Sequence, residues 1–174
     1  MSKNVNDFLT WIYNREDVYY LRTRLLDVNM RLFHSSPQYK KIVEQCCNYI
    51  REMALASLDG YSKPFGMSGA NLAIPFNIIG VVLQRGKPGE VCHIMMNPYI
   101  RARSTEITET LSNCGSIRLT KPIPVPRYKW VDVRWWDQDG RGREERFTRE
   151  NHGFTIQHEI EHNLGILITD QRRV

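Results

Sequence analysis

The pattern of apolar and polar positions changes its period near residue 65, and that change predicts the architecture. Upstream, apolar residues recur at mixed three- and four-residue steps through Val5 to Tyr13 and Val18 to Val28, and Ser36-Pro37 opens a further helical stretch that runs to Leu58. Within it Ile42, Cys46, Tyr49, Met53 and Ala56 share one stripe, the face such a helix turns to a core. Asp59-Gly60 ends the stretch, and Pro64 obstructs any continuation. Downstream the runs are short and β-like. Ile78 to Leu83 and Val91 to Met96 flank the turn Arg85-Gly86-Lys87-Pro88-Gly89 and predict a hairpin. Val131, Val133 and Trp135 alternate with Asp132, Arg134 and Trp136 before Asp137-Gln138-Asp139-Gly140 turns the chain into Glu144 to Thr148, a second hairpin. Helical spacing returns at Phe154, Ile156, Ile160 and Leu164, with Thr148 or Asn151 as N-cap and closure near Gly165. This order predicts an α+β fold: N-terminal helices, antiparallel β-hairpins and a late helix packed on the sheet.

No internal repeat or Gly/Ser linker divides the 174 residues, so residues 1–174 are expected to form a single domain, with 1–20 as a helical N-terminal extension. A composition of 41% hydrophobic and 25% charged residues excludes disordered and collagen-like classes. No apolar run reaches the roughly 18–20 residues of a membrane span, and Met1 to Thr10 lacks the layout of a signal peptide. A cytoplasmic protein without a membrane partner is expected. Lys plus Arg number 24 against 19 Asp plus Glu, a net charge of +5 that favours acidic partners without selecting one. Arg141, Arg143, Arg146, Arg149 and the pair Arg172-Arg173 could touch RNA, but a solvated strand face and a charged tail account for them better. The four cysteines, Cys46, Cys47, Cys92 and Cys114, are expected as reduced thiols, with at least one of the adjacent pair serving as a small buried apolar side chain.

The chemistry is concentrated in the last helix, where His158-Glu159-Ile160-Glu161-His162 forms a His-Glu-x-x-His motif. Positions four apart differ by about 40° around a helix axis, so both imidazoles leave one face at a spacing that suits one metal ion. Glu159 lies beside them, where a carboxylate can take a proton from water at the open coordination position. Two polar residues hydrogen-bonded on a half-exposed helix are the alternative, but a motif on a helix of the right period after a β-rich region favours a metal site. A catalytic site needs a third ligand. Position 168 is Ile168, where a metzincin extension would place histidine, and Asp170 is the one later carboxylate. The ligand must come from upstream, where Cys114, His93, His152 and several carboxylates compete. Cys114 is the best candidate, since Leu111-Ser112-Asn113-Cys114-Gly115-Ser116-Ile117 has the irregular backbone that can aim a thiolate, although an isolated cysteine is commonly an inert core residue.

An upstream Cys-x-Ser-Ile loop combined with Gln-His-Glu-x-x-His on the final helix resembles the peptide deformylase family. Met95-Met96-Asn97-Pro98 is similar to its strand-end Asn-Pro, and Val125-Pro126-Arg127 followed by Val131 to Gly140 is similar to its Val-Pro-Arg and hairpin. Gly69-Ala70-Asn71-Leu72-Ala73-Ile74-Pro75 falls where its first motif, Gly-x-Gly-Leu-Ala-Ala-Pro-Gln, belongs. The likeness runs in order from about Leu21 to Asp170. It implies a metal-dependent hydrolase that removes the formyl group of formyl-methionine from nascent polypeptides and releases formate. Cys114, His158 and His162 would hold one divalent ion, Fe(II) first, with Zn(II), Ni(II) or Co(II) as other occupants. Glu159 would carry the proton, the Gly115 N–H would face the oxyanion, and Gly69, Ala70, Asn71, Leu72 and Phe154 would bind substrate, which would run along an extended Ala70 to Leu72 as an added strand.

Departures from the family pattern carry their own expectations. Phe76 stands where the first motif ends in a glutamine, and Asn71, in place of its second glycine, could supply an amide instead. Ser112-Asn113-Cys114-Gly115-Ser116 lacks the Glu of Glu-Gly-Cys-Leu-Ser, which leaves Arg127 to another carboxylate or to none, and Glu161 replaces the usual Asp. The chain ends twelve residues after His162, so the resemblance implies a short form, of phage or organelle type, without the C-terminal helix that docks bacterial enzymes on the ribosome; a monomer is expected, with the nascent peptide and the ribosome as partners. Two rival readings remain open: a zinc peptidase with His158, His162 and a carboxylate, and a basic nucleic-acid-binding module with a structural metal.

Overall fold

Every residue from Ile78 to Val82 is buried, so the strand they form has to be covered on both faces. The computed structural model, which describes residues 21–56, 65–117, 119 and 121–170, shows how. Its helices are α1 (Met30–Ser35), α2 (Pro37–Leu55) and α3 (Gly153–Asn163), and its strands are β1 (Gly66–Ser68), β2 (Ile78–Leu83), β3 (Val91–Arg103), β4 (Ile107–Ser112), β5 (Ile123–Tyr128), β6 (Trp130–Trp136) and β7 (Gly142–Thr148). Short 3-10 turns occupy Gly69–Leu72 and Ile168–Asp170. An antiparallel five-stranded sheet runs in the order β1-β2-β3-β6-β7, and β4 pairs with β5 in a separate ladder. Ile78 and Val82 join Cys92, Ile94 and Met96 beneath α2, whereas Ile79 and Val81 join Met95, Val131 and Val133 beneath Ile156 and Ile160 of α3. The period of two in a pleated strand makes this division, and helices on opposite faces complete it.

Both predicted hairpins and the late helix form where expected. β2 and β3 pair from Leu83 with Val91 to Ile78 with Met96, and β6 pairs with β7 from Trp136 with Gly142 to Trp130 with Thr148. β3 then continues past its bulge at Asn97 to pair with β6, which unites the two hairpins in one sheet.

Four expectations need correction. The part of Val18 to Val28 that is described leaves the helix after Leu21 and runs irregularly, because its backbone finds distant partners. Leu25 donates to the Asn163 carbonyl and Leu26 to that of Pro75 (both 2.9 Å), and the Val28 N–H donates to Asn97 Oδ1 (2.7 Å). In α2 the buried stripe is Val43, Cys47, Ile50, Met53 and Ala54, one residue on from most of the expected positions, and Ile42 is exposed. The two stripes have the same period, so spacing alone could not choose between them. The helix also stops at Leu55, with Ala56 extended as its C-cap. The N-cap of α3 is His152 in the left-handed region (φ 70°), while Asn151 turns its side chain back to the Thr148 N–H. Finally, Ala70 to Leu72 is not extended but coiled into a 3-10 turn closed by Ala73 at φ 53°. The predicted extension 1–20, with Val5 to Tyr13, lies outside the described residues.

Candidate active site

Three attachments fix the face of α3. At its start, a Cβ on Gly153 would lie 2.6 Å from the Thr148 carbonyl oxygen, so the helix begins hard against the end of β7. Midway, the buried Gln157 mimics a strand: Oε1 accepts from the Tyr128 N–H (2.9 Å) and Nε2 donates to the Tyr128 carbonyl (3.0 Å). At the end, Asn163 Nδ2 donates to Asn77 Oδ1 and to the Ile78 carbonyl at 3.0 and 3.1 Å. Gly165, at φ 76°, then turns the chain where a Cβ would meet the Arg22 carbonyl oxygen at 2.4 Å.

So placed, α3 brings His158 Nε2 within 3.2 Å of His162 Nε2. Cys114, delivered by the turn that follows β4, puts its Sγ 3.2 Å from the same His162 nitrogen. One donor atom from each of the three lies within 4.8 Å of the others, and among the described residues this is the one cluster of three potential metal ligands. One sulfur and two imidazoles suit a divalent transition ion, and three protein ligands is the number that catalytic sites use. His93 and His152 stand elsewhere, on β3 and at the start of α3.

The electrostatics fit the same group. Burial pushes the His162 imidazole down to about 4, and burial with the neighbouring His162 and Arg127 holds His158 well below its ordinary value. Both rings are therefore neutral near pH 7 and can offer a lone pair. Burial raises the Cys114 thiol to about 11, against hydrogen bonds from Ser116 and Ile117, so a cation entering the site displaces a proton from sulfur. Glu159 is buried beside them and raised by desolvation to about 8, which prepares its carboxyl to hold a proton at neutral pH. Glu159 Oε2 is buried without a hydrogen-bond partner among the described residues, as expected of a group that awaits one. The side chain is confined by Gly66 of β1, where a Cβ would meet Glu159 Oε1 at 2.6 Å.

A family model for polypeptide deformylase matches residues 23–173. The chain belongs to the peptide deformylase family. It is 32% identical to a Roseiflexus deformylase over 163 residues, covering 79% of this chain and 85% of that one. A Ligilactobacillus salivarius deformylase is 35% identical over 80 residues, which span 45% of this chain and 42% of the relative. Among solved structures, a class I type b deformylase of Acinetobacter baumannii superposes with a TM-score of 0.69 at 22% identity over 87% of this chain and 92% of its own. The deformylase of a Vibrio parahaemolyticus bacteriophage gives 0.62 at 19% identity over 86% and 93%.

The departures from the deformylase pattern now have places. Phe76 packs against the core beneath α2, edge-on to Tyr39 with ring centroids 6.1 Å apart. Arg127, 2% exposed, does find a carboxylate: Nη1 meets Glu161 Oε1 at 2.8 Å, so the acid missing from the cysteine loop is supplied by the helix. Nη2 of Arg127 stands 3.5 Å from His158 Nδ1, which explains its effect on that ring. Asn71 is engaged with Ser68 and Ser116, and the Ala70 methyl belongs to a small core with Leu21 and Leu167. Gly69 takes part in the backbone, its carbonyl accepting from Ile74, and Leu72 packs against the α2 core. A Cβ on Gly115 would meet nothing within 4 Å. Phe154 lies one turn before His158 and two before His162, half-buried on that side of α3. Asn163 and Gly66 were not singled out beforehand, and Gln157 entered only as a letter of the Gln-His-Glu-x-x-His motif, with no role given to it. Gln157 and Asn163 directly flank the two histidines, but nothing in a single sequence distinguishes a buried amide that bonds a strand from one that faces water.

Proposed function

We propose that the chain hydrolyses the N-formyl group of formyl-methionine at the start of nascent polypeptides and releases formate. The observation that carries this reading is the juxtaposition of Cys114, His158 and His162 donor atoms within 4.8 Å, beside a buried Glu159 with a raised pKa. Cys114 Sγ and the two imidazole nitrogens would hold a divalent ion, Fe(II) by family resemblance, with Zn(II), Ni(II) or Co(II) as substitutes. When bound, that ion supplies Lewis acidity, which makes water acidic enough to ionise near neutral pH and polarises the formyl carbonyl. Glu159 accepts the proton of the attacking water and returns it to the departing methionine amine. The Gly115 N–H donates to the developing oxyanion, and the open space before this residue lets the formyl group approach. Phe154 borders the slot for the methionine side chain, and the turn Gly69–Leu72 lines the approach of the peptide through its backbone. The protein acts as a monomer on chains emerging from the ribosome, in a bacterial cytoplasm or an organelle-like compartment. Among the described residues no helix is long and apolar enough to cross a membrane.

The test is formate release from a formyl-Met tripeptide by anaerobically purified protein loaded with Fe(II) or Ni(II). Glu159→Gln is expected to retain the ion and lose about 10²–10⁴-fold in turnover. Absence of formate with every metal tried overturns the reading, and loss of metal in Glu159→Gln overturns the role given to that carboxyl.

A further inference from the structure

Three polar side chains, Ser68, Asn71 and Ser116, link the turn after β1 to the Cys114 sulfur, and the direction of each proton follows from the one before. Asn71 Oδ1 accepts from the Ser68 backbone N–H (2.7 Å) and from the Ser68 hydroxyl (2.6 Å). A backbone N–H can only donate, so the amide oxygen of Asn71 must face Ser68 and its nitrogen must face the other way. There Nδ2 donates to Ser116 Oγ at 2.6 Å. The amide nitrogen has no acceptor capacity, so Ser116 Oγ is the acceptor and its own proton is sent elsewhere. Ser116 follows Cys114 by two residues, and its hydroxyl and backbone N–H both act to hold the thiol down against burial, while the Ile117 N–H donates to the Cys114 carbonyl at 3.3 Å. Ser68, Cys114 and Ser116 are buried, so water competes weakly for these bonds.

We propose that Asn71 is a positioning residue that aims the Ser116 hydroxyl at the Cys114 sulfur, so that the ligand sulfur accepts a hydrogen bond from it. The proposal rests on the metal-site reading above and adds to it how the sulfur is tuned. Hydrogen bonds to a ligating thiolate lower the energy of its lone pairs and reduce the charge it gives to a cation, which leaves that cation the stronger Lewis acid. A glycine, the residue that the family motif has at this position, offers no side chain for the task. Asn71 thus acts through Ser116, and Ser116 through sulfur.

The experiment uses the full chain loaded with Co(II), whose thiolate-to-cobalt charge-transfer absorption reads the energy of the sulfur lone pairs directly. Asn71→Ala and Ser116→Ala should both bind one cobalt and shift this band to longer wavelength. The double variant should coincide with Ser116→Ala, since Asn71 has no route to the sulfur except through that hydroxyl. Ser116→Thr, which keeps the hydroxyl, should keep the parent band. Asn71→Asp, whose carboxylate would draw the Ser116 proton away from sulfur, should shift the band at least as far as Asn71→Ala. A parent band that stays in place in Asn71→Ala or Ser116→Ala, or a double variant that shifts beyond Ser116→Ala, overturns the relay alone. A cobalt-loaded parent with no thiolate band overturns the metal-site reading and the relay together. Should Asn71→Ala fail to fold, the Ser116→Ala and Ser116→Thr pair still decides whether the hydroxyl touches the sulfur, and Asn71→Asp decides whether Asn71 directs it.

Discussion

The β6–β7 hairpin and the corner that holds Cys114 both set arginine against carboxylate at nearly the same distance, 2.7 Å for Arg146–Asp132 and 2.8 Å for Arg127–Glu161. Their surroundings differ. The hairpin pairs stand in water, with side-chain exposures of 55% and 22% for Arg146 and Asp132, whereas the Arg127 side chain is 2% exposed and lies against the histidines. In water, attraction between the ions is offset by lost hydration and side-chain freedom. In the interior, the arginine has already lost its hydration and depends on the carboxylate. The contrast teaches that the charge which matters to this fold and its chemistry is the smaller, buried part.

The largest effect expected from that contrast comes from Arg127→Met. It leaves Glu161, whose side chain is 20% exposed, without the guanidinium, and should destabilise the protein by about 2–4 kcal/mol, read as a lower urea midpoint at unchanged m-value. Arg127→Met combined with Glu161→Met should recover a good part of the loss, because no ion is then stranded. A double variant no more stable than the single would break the comparison, since it would mean that the arginine acts by packing rather than charge.

Next in size is Gly66→Ala. The new methyl would meet Glu159 Oε1 at 2.6 Å, Glu159 Cγ at 2.7 Å and Thr155 Cγ2 at 2.8 Å. Something has to move, and the carboxyl that moves is the proposed proton carrier. A displacement of about 1 Å at such a group costs on the order of 100-fold in rate. Metal content should be unchanged while kcat falls by that factor, a split that separates a misplaced carboxyl from a lost ion. A variant with parental kcat would show that Glu159 does not need its present position.

A pH measurement sharpens the same point for the buried carboxyl itself. In protein stripped of metal, the Glu159 pKa is raised from 4.5 to about 8, so the folded state binds more protons than the unfolded state between those values and stability falls as pH rises through them. His162, lowered from 6.5 to about 4, acts in the opposite direction but only below pH 6.5. Cys114, raised from 9.0 to about 11, acts above that range. Between pH 6.5 and 8 Glu159 therefore dominates among these three. Metal-free parent protein should lose about 1–2 kcal/mol over that interval, and Glu159→Gln should lose clearly less. Equal slopes for the two proteins would mean that the carboxyl is hydrated in the absence of metal.

How much of this was legible beforehand depends on range. The His158–His162 spacing is a property of one helix, and the hairpins are set by local alternation and turn residues, so these could be read from neighbouring positions. The partner of Arg127 could not be read, because Glu161 is 34 residues away and reaches it only after Gln157 has docked α3 on Tyr128. The face of α2 was misread by one residue because two stripes of equal period run along it, and only contact with β2 and β3 selects Val43, Cys47 and Ile50. Ala70 to Leu72 was read as a strand from the family motif, although the Ser68–Asn71 hydrogen bonds are a local reason for a turn.

The smallest effect belongs to the exposed hairpin, and it bears on the rival reading of the basic residues. Arg141, Arg143 and Arg146 meet Asp139, Asp137 and Asp132, so this part of the basic cluster is largely neutralised within its own hairpin. Arg141 and Asp139 are 68% and 66% exposed, and the pair spans a turn that Asp137 already closes by accepting from the Asp139 and Arg141 N–H groups. Arg141→Gln should therefore leave the urea midpoint and the formate-release rate where they are. It should also leave weak, salt-sensitive retention on immobilised RNA unchanged, because a paired arginine releases few counterions from a phosphate backbone. A clear fall in RNA affinity, with a shallower dependence on salt, would show that these arginines exchange their aspartates for phosphate, and the division between a working interior and a neutral surface would not hold on this side of the molecule.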